Sequence, residues 1–360
     1  MELKYIAKDL STCTSVRQVL KNEFNMSNRL ITKLKQNKLI YLNDKETYLD
    51  KSLSIGDVVK CIIDFNESSD NIISTKMDLK IIYEDDYLLA VDKPFNMAVH
   101  PSILHYENSL SNGVKYYFES IGLNKKIRPV NRLDRDTTGI VLFAKNEYIQ
   151  ECLIKQMNSR IFYKEYIAIL EGLLDQSKGI INAPIARKDG SIIERCIDEN
   201  GSNAVSHYEV IDSKNNSSLV KFVLETGRTH QIRLHSKHIG HPIIGDTLYG
   251  NKSNLISRQA LHCHKISFIH PVTKNKIEII SSMPEDMNFI NSGCRGRQPL
   301  HIISNLIVGV AELMHTAPVR SKAPTELAPR RPVTKYGTFL YNKKEKEKIY
   351  NFFFLFFWLK

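Results

Sequence analysis

The chain has little that would mark it as secreted, membrane-spanning or built around a metal. Its six cysteines, Cys13, Cys61, Cys152, Cys196, Cys263 and Cys294, show no CxxC spacing, which argues against a zinc ribbon, a dithiol redox motif or a disulfide framework. The opening MELKYIAKDL has no basic stretch followed by an apolar run, so no signal peptide is expected. The longest apolar run, Phe352 to Leu359, is far below the roughly 18 residues that a membrane helix needs. Together these absences predict a cytoplasmic protein with free thiols and no membrane association. No repeat at a fixed period is visible, which excludes solenoid and propeller architectures.

What is present fits a globular protein. Hydrophobic residues make up 42% and charged residues 25% of 360, close to globular averages and unlike a disordered or collagen-like chain. The length favours two domains. The formal net charge of +11 points toward anionic partners, nucleic acid first. Its placement weakens that inference, because residues 291–360 hold 12 Lys/Arg against 4 Asp/Glu. The body of the chain is only mildly basic, so local clusters must carry the argument.

Along the chain, residues 1–66 read as a small module. Two short helices, Val16 to Glu23 and Ser27 to Asn37, precede a hairpin that turns at Asn43-Asp44, and Ser27 is placed to cap the second helix. That helix and its end carry Arg29, Lys33, Lys35 and Lys38, either a solvated face or an RNA-contacting one. The polar stretch 67–79 reads as a linker. Residues 80–290 alternate strands and helices. Helices are expected at Ser109 to Ser120, Glu147 to Asn158 and His230 to Ile239. Strands are expected at Gly139 to Lys145, Glu165 to Leu170, His207 to Ile211, Leu219 to Glu225, Leu261 to Ile269 and Lys276 to Ile280. Residues 291–360 lack amphipathic period and capping logic, and read as a disordered or non-native basic tail.

Two segments concentrate chemistry. RPVNRLDRDTTGIVLFAKN carries Arg132, Asp134, Arg135 and Asp136 in a loop that runs into an apolar strand. Guanidinium groups around a carboxylate keep it ionised and oriented, which suits a nucleophile, a base or a structural ion-pair loop. LETGRTHQIRLHSKHIGHPIIGDTLYG brings Arg228, His230, Arg233, His235, His238 and His241. The histidine spacing does not match H-E-x-x-H and lacks an acidic ligand, so no metal is expected. Arg228 and Arg233 suit a phosphate or carboxylate clamp.

These segments resemble a known family. NRLDRDTTG is similar to the H-R-L-D-x-x-T-S-G motif of the RluA-type pseudouridine synthases. KPFNMAVHPS, beginning at Lys93, resembles that family's K-P-x-G-x-x-V-H-P. KEYIA, beginning at Lys164, resembles its K-x-Y-x-A strand, and the Leu224–Gly250 stretch resembles its last long motif. Residues 16–64 resemble a small RNA-binding module named after a ribosomal small-subunit protein. The resemblance implies an α+β fold with a mixed, largely antiparallel central sheet, flanking helices and a catalytic cleft. It implies isomerisation of uridine in RNA, moving the glycosidic bond from N1 to C5 without a cofactor. Large-subunit ribosomal RNA is the favoured substrate and transfer RNA the second, with the enzyme acting as a monomer.

By the same resemblance Asp134 is the catalytic aspartate, acting by nucleophilic attack or by proton abstraction at the sugar. Arg233 is the partner expected to keep it anionic. Tyr166 would stack on the extruded base or help remove the C5 proton, and Arg132 would fill the vacated gap in the RNA or contact a phosphate. Arg228, His230 and Asn131 complete the expected substrate contacts. Asn131 stands where the family usually has His, Asn96 where it has Gly, and Thr138 where it has Ser. A non-catalytic RNA-binding or ribosome-assembly protein is the alternative reading.

Overall fold

The computed structural model describes residues 1–65, 67, 69–102 and 105–292. From residue 293 onward the expected tail lies outside the described residues.

The chain opens with strand β1 (Glu2–Ile6), a short helix α1 (Val16–Gln18) that runs into a π-helical turn at Val19–Glu23, and helix α2 (Asn28–Gln36). Strands β2 (Ile40–Leu42), β3 (Lys45–Glu46) and β4 (Val58–Ile62) follow. The four strands form one antiparallel sheet in the order β1-β4-β2-β3. Strand β1 was not anticipated, although Leu3 and Tyr5 alternate with Glu2 and Lys4 as a half-buried strand requires. Ser27 does cap α2, its hydroxyl accepting from the Leu30 N–H at 3.1 Å. Leu30, Ile31 and Leu34 bury one face of that helix.

The larger body contains β5 (Ile81–Glu84), β6 (Leu88–Lys93), α3 (Leu110–Ser120), β7 (Thr138–Ala144), α4 (Glu147–Asn158), β8 (Tyr163–Glu171), β9 (Lys178–Asn182), β10 (Ile185–Arg187) and β11 (Arg195–Ile197). It continues through β12 (Val205–Lys214), β13 (Ser217–Leu224), α5 (Gln231–His238), β14 (Leu261–Ile269), β15 (Lys276–Ile280) and α6 (Glu285–Ser292). Its sheet runs β5-β6-β7-β14-β8-β13-β12-β9, with β15 also paired to β14. Every pairing is antiparallel except β7 with β14. This is the mixed, largely antiparallel α+β architecture that the motifs implied. The hairpin of β10 and β11 and the edge strand β9 were not anticipated.

Strand β7 is buried along its whole length, which is why it reads as an unbroken apolar run. Its second residue, Gly139, has φ +109°, and a Cβ there would lie 2.2 Å from the Cys263 carbonyl oxygen. Only glycine allows the parallel pair to start so close to the loop that precedes it.

The stretch expected as a linker is anchored to the body at a few points. Ile72 and Ser69 are buried. The Lys115 ammonium donates to the Ser69 and Ile72 carbonyls at 3.1 and 2.7 Å, and the Asn112 amide donates to Ile73 O at 2.7 Å. Its polar composition hid these backbone acceptors, which α3 satisfies. Among the described residues no helix is long and apolar enough to cross a membrane.

Candidate active site

The loop 131–137 runs directly into β7, so its position is set by the most buried strand of the sheet. Asn131 pins it there. Its amide donates to Ile140 O and its carbonyl accepts from Leu142 N–H, both at 2.9 Å. Both ends of the amide are therefore occupied by backbone, and the side chain is buried. Asn131 thus fastens the loop from beneath.

Lys93 fastens it from the other side. Its ammonium is buried and donates to the carbonyls of Pro94, Met97 and Arg135 at 2.8, 2.9 and 2.9 Å. Burial pulls its pKa down to about 7, against the raising pull of Asp136 and Asp134. Asn96, in the same turn, has φ 55°, the left-handed conformation for which glycine would be usual and asparagine is tolerated. Arg258 completes the support. Its guanidinium forks onto Asp286 of α6 with two contacts of 2.8 Å, while Nη1 donates to Gln259 O at 3.0 Å and Asp136 O at 3.4 Å.

Six of the expected residues converge. Arg132, Asp134, Tyr166, Arg228, His230 and Arg233 line one pocket of about 60 Å³. That pocket shares Arg132, Asp134, Tyr166 and Arg228 with a wider cleft of about 1110 Å³ whose wall includes Asn131. Asp134 accepts from Arg233 Nη1 at 3.2 Å and remains partly open to solvent. Arg233 is held by a second carboxylate that sequence reading missed. Asp246 receives Arg233 Nε at 2.6 Å and Nη2 at 2.8 Å, and is fully buried. Burial would raise the Asp246 pKa, but Arg233 and the N–H groups of Leu248 and Tyr249 hold it below its ordinary value. Burial would likewise lower that of Arg233, but Asp246 and Asp134 together hold it above its ordinary value. The arginine is fixed as a cation with one edge left for Asp134.

His230 precedes α5 rather than lying within it. It has φ 59°, a strained conformation for a bulky residue. The strain turns its ring toward Tyr249, whose hydroxyl lies 2.9 Å from Nδ1. That hydroxyl also accepts from the Arg195 N–H at 2.8 Å, so Tyr249 ties the His230 ring to the start of β11. Nε2 faces Asp134 at 3.9 Å, too far for a hydrogen bond. Burial, outweighing Asp134, keeps the imidazole below its ordinary pKa and so neutral at pH 7.

Tyr166 lies mid-strand in β8, between Phe222 of β13 and Cys263 of β14. It is 6% exposed, at the floor of the pocket. Burial first, then Cys263 and Asp134, push its phenol well above the ordinary value. Arg132 stands exposed at the mouth. Arg228 is turned to the wall, its Nε donating to Asn203 O at 2.9 Å.

The histidines have other work. His235 bonds Ser206 Oγ and Ala183 O at 2.9 and 3.0 Å, and His241 bonds Glu171 O at 2.8 Å. Among the described residues no group of three or more His, Cys, Asp or Glu could hold a metal ion.

The four cations of the N-terminal module lie apart from this cleft. Lys33 pairs with Glu67, and with Glu147 of α4 at 3.1 Å, while standing 4.1 Å over the Phe65 ring. Arg128 joins the same carboxylates at 2.8 and 3.9 Å. Burial would raise Glu67, yet Arg128 and Lys33 hold it low. Arg29 approaches Glu147 at 3.4 Å and Lys38 approaches Glu46 at 3.8 Å, both from exposed positions. Lys35 makes no ion pair among the described residues. The Lys33 charge is therefore engaged within the chain, in docking α2 on α4.

Known proteins resemble the chain as a whole. Residues 87–238 match the family model described as RNA pseudouridylate synthase. The chain is 35% identical over 274 residues to an uncharacterized RNA pseudouridine synthase of Bacillus subtilis, YjbO, covering 75% of this chain and 96% of that one. It is 33% identical over 270 residues to ribosomal large subunit pseudouridine synthase D of Blochmanniella floridana, covering 69% and 84%. A structure of human RNA pseudouridylate synthase domain containing 1 is similar at 25% identity with a TM-score of 0.48, covering 57% of this chain and 83% of that one. The chain belongs to the RNA pseudouridine synthase family. It is an enzyme of that class, and the non-catalytic alternative is not favoured.

Proposed function

We propose that this enzyme isomerises specific uridines of large-subunit ribosomal RNA, with Asp134 as the catalytic residue. The observation that carries the reading is the Asp246–Arg233–Asp134 chain at the foot of a pocket floored by Tyr166. Arg233 holds the Asp134 carboxylate in a fixed orientation at 3.2 Å, ready for attack on the sugar C1′ or proton abstraction from the sugar. The N1–C1′ bond breaks, the base turns, and the C5–C1′ bond forms. One proton leaves C5 and one is taken up at N1, so no cofactor is needed. Tyr166 receives the face of the extruded base. Its phenol, kept protonated by burial, suits stacking better than removal of the C5 proton. Arg132, at the mouth, takes the place the base vacates. The wide cleft admits a strand, and the N-terminal module grips structured RNA through Arg29, Lys35 and Lys38. Ribosomal RNA is favoured because several relatives are named ribosomal large subunit pseudouridine synthase D.

The test is pseudouridine mapping of ribosomal and transfer RNA from a strain lacking the protein. A site in large-subunit RNA should be lost, restored by the wild type and not by Asp134→Asn. That variant should lower turnover by about 10³-fold or more and leave RNA binding within a few-fold. Loss of a site in transfer RNA alone would reassign the substrate, and a fully active Asp134→Asn would remove Asp134 from the mechanism.

A further inference from the structure

Six cations line the wide cleft, and they divide into two groups. Arg135 is paired with Asp136, Arg160 with Glu225, and Arg228 donates to a backbone carbonyl. Arg132, Lys164 and Arg195 have no acceptor for their charged groups among the described residues. Arg132 is exposed and water serves it. Lys164 is half-buried, and desolvation lowers its pKa, so it can relieve its position by shedding a proton. Arg195 has no such escape, because a guanidinium does not deprotonate in proteins.

Its position is also built. Arg195 opens β11 in register with Arg187 of β10, and its backbone N–H holds the Tyr249 hydroxyl that orients His230 against Asp134. Yet the side chain is only half-buried overall, and its Nη1 is cut off from solvent without a hydrogen-bond partner. A half-buried, permanently charged donor fork on the wall of the cleft that also holds Asp134, one of its nitrogens without a partner, suits an oxyanion offering two acceptors.

We propose that Arg195 is a positioning residue that binds the phosphodiester next to the target uridine, holding the extruded nucleotide over Asp134. The inference deepens the RNA reading above and rests on it. The backbone of Arg195 orients the catalytic side while its side chain holds the RNA, so the hairpin of β10 and β11 couples substrate arrival to the His230 side of the site.

The test compares wild type, Arg195→Gln and Arg195→Lys on the mapped RNA at several salt concentrations. Arg195→Gln should raise KM about tenfold, as loss of one charge-assisted contact predicts, with kcat within about twofold. Its plot of log KM against log salt should become shallower by about 0.7 to 0.9, one phosphate contact. Arg195→Lys should restore that slope and part of the KM. Melting temperature should not move, because the Tyr249 contact is made by the backbone. A fall in kcat at unchanged KM, or an unaltered salt slope, would overturn the proposal and make Arg195 an electrostatic partner of His230. Binding of the same RNA to Asp134→Asn, with and without Arg195→Gln, reads the contact without turnover. A tenfold binding difference there supports the phosphate contact even if Asp134 proves not to be catalytic, and equal binding refutes it.

Discussion

Lys33 and Arg195 are both cations in an RNA-modifying enzyme, and they meet opposite fates. On α2, Lys33 sits in a quartet with Glu67, Glu147 and Arg128 whose charges cancel inside the chain. In the cleft, Arg195 pairs with no carboxylate among the described residues, and its Nη1 has no partner there. Basic residues on a helix are therefore not by themselves an RNA surface. What distinguishes a binding cation from a structural one is whether the fold already supplies its acceptor. The two regions should also fail by different routes: the module interface through the loss of ion pairs, the cleft through loss of orientation.

The largest effect is expected in the cleft. Arg233→Lys keeps the charge but cannot span Asp246 and Asp134 together, so kcat should fall about 10²-fold with KM little changed. Asp246→Asn should fall in the same direction by less. Single-turnover rates check both, and a near-wild-type rate for Arg233→Lys would reduce the clamp to a general field effect.

The next effect concerns the strand behind the loop. His262 bonds Thr138 Oγ1 at 3.0 Å and the Ser281 carbonyl at 3.2 Å, and burial drops its pKa from 6.5 to about 4. Between those values the unfolded chain binds the proton more readily than the folded one. Stability should thus be complete above pH 6.5 and decline as the pH falls toward 4, by about 3 kcal/mol in all. Urea unfolding at pH 4.5 and 7 measures it. His262→Gln should flatten the difference, and an unchanged one would exonerate His262.

A smaller effect separates the cations of the module. Lys33→Met leaves two carboxylates with Arg128 alone and should destabilise the chain by about 2 kcal/mol, discounted for its partial exposure. It should leave the salt slope of RNA binding almost intact. Lys35→Met should do the reverse, lowering the slope by about 0.9 at unchanged stability. Equal slopes for the two variants would erase the distinction drawn between them.

The sequence made some of this legible and concealed the rest for identifiable reasons. Asp134, Tyr166 and Arg233 stood out because each lies in a dense motif whose residue types constrain the chemistry. Asp246 stood in the same motif, but a lone acid after Ile243-Ile244-Gly245 gives no sign that it will be buried against an arginine of the preceding helix. Lys93 ends an apolar strand, where a lysine is ordinarily a solvated terminus, and only the fold shows three carbonyls gathered on it. The hairpin of β10 and β11 has only three residues per strand, too short for a period to register. The stretch 67–79 looked like a linker because its burial comes from α3 satisfying its backbone, a contact with no local signature.

The brace from Asp286 through Arg258 to the carbonyl of Asp136 has a consequence for synthesis. The N-terminal sheet closes with β4, once Ile62 has emerged from the ribosome, from contacts near in sequence. The reactive loop is spoken for by a residue 150 positions downstream of Asp136. Such distant closure is slow and comes last. A nascent chain can thus complete its N-terminal sheet well before α6 has emerged to brace the loop that carries Asp134.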